Sequence, residues 1–79
     1  MADKQWTTLN TVADVTEEVL EIAREIVDGW YADGRVDWDN VWDRMEGTEL
    51  KDGTFLDMGT DLTVPALSKI KRVLRSERT

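Results

Sequence analysis

The stretch Asp33-Gly34-Arg35-Val36-Asp37 has the spacing of the second half of a calcium loop. An EF-hand loop takes oxygen ligands at positions 1, 3, 5, 7, 9 and 12, with glycine at position 6. With Gly34 at position 6, Asp33 falls at 5, the apolar Val36 at 8 and Asp37 at 9. The rest of the ligand set is missing. Gly29 and Tyr31 occupy positions 1 and 3, and Asn40 at position 12 has no bidentate carboxylate to give. No EF-hand membership follows, and no metal site is expected. The same residues read as a corner instead. Asp33-Gly34 turns the chain, Val36 dips toward the core, and Asp37 caps the next helix.

Other catalytic chemistry is sparse. The chain has no His and no Cys. That removes the commonest general base, thiol nucleophiles, disulfides and thiolate zinc sites. Ser68 and Ser76 lie in a basic stretch with no base available, and the five glycines are too scattered for a phosphate-cradling loop. Carboxylates remain, and those on the first helix read as solvated, without the burial that would shift a pKa. The expectation is a non-enzyme without cofactors.

Binding chemistry is better represented. Four Trp in 79 residues is a high count for a chain that can bury little surface. Trp30 and Trp38 read as core fillers. Trp42, beside Asp39 and Asp43, reads as off-centre and exposed. With Tyr31 and Trp6 it forms the expected apolar anchor set for a protein partner. Glu17, Glu21, Glu25 and Asp28 form an acidic ridge along a helix, suited to a partner with a basic surface. The plain alternative is a solvated face that keeps a small protein soluble. The net charge of −7 is unevenly spread: Lys69, Lys71, Arg72, Arg75 and Arg78 crowd into the last twelve residues. Lys69, Lys71, Arg72 and Arg75 carry the rival expectation, a small DNA-binding regulator. The acidic pI of about 4.4 argues against that rival.

Three helices are needed to position these groups. Val12, Val15, Val19, Ile22, Ala23, Ile26 and Trp30 recur at steps of three and four, which predicts an amphipathic helix over about 11–32. Thr11 and Asp14 are its capping pair and Gly34 its stop. The apolar arc spans roughly 160° at 100° per residue, so it needs two neighbours, or one neighbour and a second molecule. A short helix follows over 38–46, with Trp38, Val41 and Met45 inward and Gly47 as its end. Thr63 and Pro65 begin a third over 64–76, with Leu62 and Leu67 at the spacing of a hydrophobic staple. Between the last two, 48–62 is expected to be irregular or a short β-hairpin turning at Asp52-Gly53.

The expected fold is therefore a mainly α, small three-helix domain over 11–79, packed around Trp30, Trp38 and Ile70, after a flexible segment 1–10. No stretch approaches the roughly 18 apolar residues of a membrane span. The opening MADKQWTTLN has no signal-peptide core. A soluble, cytoplasmic protein is expected. Its expected role is that of an adaptor, inhibitor or accessory factor, such as phages direct at host proteins. It would bind a larger protein or self-associate, and self-association would also stabilise so small a core.

Overall fold

The computed structural model describes residues 5–78. Three helices and a small two-stranded parallel sheet make up the molecule: β1 (Trp6–Thr8), α1 (Glu17–Trp30), α2 (Trp38–Met45), β2 (Phe55–Asp57) and α3 (Pro65–Arg78). A single 3-10 turn, Val12–Asp14, precedes α1. Mainly α architecture is as the periodicity predicts. None of the helices among the described residues is long and apolar enough to cross a membrane.

The first helix begins later than predicted. Asp14 accepts from the backbone N–H groups of Asn10 and Thr11, both at 2.8 Å, and so caps only the short turn. Those two bonds hold its carboxyl below the usual range, the one from Thr11 first. Val15 is extended, and Thr16 restarts the chain as the N-cap of α1, its Oγ1 accepting from Val19 N–H at 3.3 Å. Lys69 of α3 bridges the break. Its Nζ donates to the carbonyls of Val12 and Val15 at 3.3 and 3.2 Å.

At its other end α1 stops at Trp30, with Tyr31 as C-cap, so Gly34 does not terminate it. The loose carbonyls of this corner find a cation instead. Arg78 Nη2 donates to the Tyr31 carbonyl at 3.1 Å and to that of Gly34 at 3.4 Å. Asp37 caps α2 as predicted, accepting from Asn40 N–H at 3.2 Å. Gly47 follows α2 with φ +79°, the left-handed conformation that favours glycine.

The start of the chain is not loose throughout. Residues 1–4 of the expected flexible segment lie outside the described residues. Trp6–Thr8, however, pairs with Phe55–Asp57, Thr7 opposite Leu56. Phe55 N–H donates to the Gln5 carbonyl at 3.0 Å, and the hydroxyls of Thr7 and Thr54 meet at 2.7 Å. The hairpin expected within 48–62 is present in reduced form. Gly53, at φ +87°, turns the chain, and Glu49 makes one antiparallel bridge to Phe55. Leu62 is exposed, so it does not staple the start of α3. An Asp61 carboxylate that accepts from both N–H and Oγ1 of Thr63 shapes that entry.

The core lies between the three helices and β2. Leu9, Val19, Ala23, Val27, Val41, Trp42, Met45, Leu56, Leu67, Ile70 and Leu74 are all buried within it. Trp42 is completely buried and its Nε1 donates to the Gly59 carbonyl at 3.3 Å. Trp30, predicted at the centre, is 60 % exposed. The two indoles have exchanged their predicted places. Trp42 points into the space that α1 and the 56–59 segment enclose, where its one polar atom finds an acceptor. Trp30 is the last residue of α1, where the helix leaves the core.

Candidate protein-binding groove

Along one flank of α1, Ile22, Ile26 and Trp30 follow one another at steps of four, so they form one stripe. Ile22 and Ile26 are half-buried, packed against the core from outside. Across from them stand Arg44, near the end of α2, and Thr48. Together with Glu25 and Gly29 these residues line an open groove of about 330 Å³. The Arg44 guanidinium lies 3.4 Å from the centre of the Trp30 ring. That stacking fixes the indole in place while leaving most of it open to a ligand. Gly29 has no neighbour within 4 Å of where a Cβ would stand, so the space beside it is open.

Glu17, Glu21, Glu25 and Asp28 are all exposed on the outer side of α1, as the ridge requires. Glu25 belongs to both ridge and groove and is the one ridge residue that lines the groove; Glu17, Glu21 and Asp28 lie farther round the helix. On its far side the ridge meets Arg24, which forms a bidentate ion pair with Glu77 of α3 at 2.9 and 2.8 Å. The hydrogen bonding from Arg24 holds the Glu77 carboxyl below its usual range.

The expected anchors fare differently. Trp42 is a core residue and cannot be one, for the reason given above. Tyr31 is half-buried, and its hydroxyl accepts from Asn40 Nδ2, which ties the corner to α2. Trp6 is 49 % exposed but lies on the sheet, its ring centroid 6.1 Å from that of Phe55, and does not line the groove. Of the basic residues assigned to nucleic acid, Lys69 is turned inward onto the Val12 and Val15 carbonyls. Lys71, Arg72 and Arg75 line a separate open surface on α3. Among the described residues no three metal-ligating side chains gather into a cluster.

Residue type alone does not mark Trp30, Ile22, Ile26 and Arg44 as a site. A signal for them was nonetheless present: an apolar arc on α1 too wide for one neighbour to cover. Comparison with protein-family models, curated proteins and solved structures gives no match.

Proposed function

We propose that this chain is a protein-interaction module, and that the groove along α1 is where its partner docks. The observation that carries this reading is Trp30, 60 % exposed, stacked by Arg44 and continuous with Ile22 and Ile26. Trp and Arg are the residue types over-represented among binding hot spots, because each offers a large, nearly rigid contact surface. An isolated exposed indole needs no explanation, but one held by a guanidinium at the end of an apolar stripe is preorganised for contact. The acidic rim selects the chemistry of the occupant. We assign it an amphipathic helix of a larger protein, with apolar residues entering the groove and Lys or Arg meeting Glu25 and the acidic ridge beyond it. The role is that of an adaptor, inhibitor or accessory factor.

The test compares three tagged baits in nuclease-treated lysate of the source cell: the unchanged chain, Trp30→Ala, and Glu21→Lys with Glu25→Lys. One protein should be retained by the unchanged chain and reduced at least tenfold with each variant. Cross-linking should map the contact to a basic, amphipathic segment of it. Equal retention by all three baits overturns the assignment. Sedimentation of the purified chain covers the remaining case, in which the occupant is a second copy.

A further inference from the structure

A second surface lies away from the groove. Gly34, Arg35, Val36, Trp38, Arg75 and Arg78 line an open depression of about 420 Å³ between the end of α3 and the corner that enters α2. Three guanidiniums border it, and among the described residues no carboxylate does. In a chain with 17 acidic and ten basic residues, three guanidiniums around one depression are an unexpected gathering of positive charge. The one acid on the last turns of α3, Glu77, is turned away toward Arg24. Two of the three guanidiniums are held in place. Arg78 is fixed by the Tyr31 and Gly34 carbonyls, and Arg75 lies 5.8 Å from the centre of the Trp38 ring. Arg78 spends Nη2 on those carbonyls and keeps Nε and Nη1, and neither residue is paired with a carboxylate among the described residues, so donors remain for an outside anion.

We infer that this depression binds a small phosphate monoester through Arg35, Arg75 and Arg78. The charge match favours phosphate over a carboxylate. A monoester carries close to two negative charges at neutral pH and offers three acceptor oxygens, against one charge and two oxygens for a carboxylate. Val36 and the edge of Trp38 supply an apolar wall for the group that bears the phosphate. A nucleic acid fits less well. Arg24 sits within the field of Glu17 and Glu21 and touches α3 through Glu77, so the acidic strip borders the basic face. A duplex laid along α3 would meet that strip, whereas a small ligand would not. Stacking of single-stranded bases needs an open aromatic face, and Trp38 is buried.

The experiment is a titration of the ¹⁵N-labelled full chain, followed by NMR, with inorganic phosphate, with phenyl phosphate and with sodium chloride at equal ionic strength. Both phosphates should move the amides of residues 34–38 and the side-chain N–H signals of Arg75 and Arg78 saturably. Phenyl phosphate should bind at least threefold more tightly, through the apolar wall. Arg75→Gln should weaken binding at least tenfold. Arg35→Gln should do the same, and since Arg35 has no ion pair among the described residues, it leaves the fold intact. Shifts that chloride reproduces without saturation overturn the site, as does an Arg35→Gln variant with unchanged affinity. A short duplex that moves the same signals at lower concentration than phenyl phosphate also overturns it, in favour of a nucleic-acid surface.

Discussion

Trp30 and Trp42 are the same residue type with opposite duties, and mutation should separate them. Trp42 is completely buried, with its Nε1 bonded to the Gly59 carbonyl. Truncating a buried aromatic leaves a cavity and costs about 3–5 kcal/mol. A small domain has roughly 5–15 kcal/mol in total. Trp42→Ala should therefore lower the melting temperature by more than about 10 °C, or prevent folding. Trp30→Ala should cost less than about 1 kcal/mol, mostly the lost stacking with Arg44. Thermal melts of both variants decide between the groove and a core role for Trp30. A second expectation belongs to the carboxylates. Asp14, Asp52, Asp61 and Glu77 all have folded values below their ordinary ones. Asp14 is lowered by backbone bonds from Thr11 and Asn10, Asp52 and Asp61 by Thr54 and Thr63, and Glu77 by Arg24. The unfolded chain takes up those protons first as pH falls. Their stabilisation is complete above the unfolded value of roughly 4, and is lost as pH drops through the folded values. Urea midpoints should fall on acidification below that value, and Asp14→Asn should flatten the decline.

Helix ends are where periodicity and structure part company. Repeating apolar steps identify α1, α2 and α3, because burial of one face is what stabilises a helix in a small domain. The pattern cannot say which of several Thr residues caps a helix, because Thr11 and Thr16 offer the same hydroxyl. The neighbouring Glu17 and Glu18 were the signal in favour of Thr16, since acids suit a first turn. Gly34 was a plausible stop for α1, yet Arg78, 44 residues downstream, satisfies the corner carbonyls. No local reading can supply such a partner. The parallel pairing of β1 with β2 is hidden for the same reason, since the strands are separated by two helices. The acidic ridge is legible because it depends on spacing alone, and the groove is not, because its far wall, Arg44 and Thr48, comes from a distant part of the chain. Two glycines test this account of the elements. Gly29 lies inside α1 with open space around the absent Cβ, so Gly29→Ala should stabilise by about 0.5–1 kcal/mol. Gly47, at φ +79°, has the opposite need. Gly47→Ala should destabilise by more than about 1 kcal/mol, and urea unfolding of the pair should give shifts of opposite sign.

The molecule as a whole measures 45 × 23 × 21 Å, and its core draws on segments far apart in the chain, from Leu9 to Leu74. The first ten residues show this dependence most clearly. Leu9 is 1 % exposed and belongs to the main core. Gln5 and Thr7 bond to β2 and the residue before it. The Asn10 carbonyl accepts from Ala66 N–H at 3.1 Å, where α3 begins. The N-terminal segment therefore joins the sheet to the third helix. If that segment were a flexible leader, removing it would leave the helices and their melting unchanged. The structure requires the opposite. Deleting residues 1–10 removes a buried Leu, worth about 2–5 kcal/mol, and leaves backbone groups of β2 and α3 without their partners. Against a total of roughly 5–15 kcal/mol, that loss should abolish cooperative unfolding or bring the midpoint near room temperature. Leu9→Ala is the milder form of the same test, and should lower stability by about 2–4 kcal/mol while keeping a dispersed NMR spectrum. Circular dichroism melts of the two variants check both outcomes. A truncated chain that melts like the full one would mean that β1 is an ornament on a three-helix domain. A collapsed one would mean that the N-terminal segment is part of the core that the three helices share.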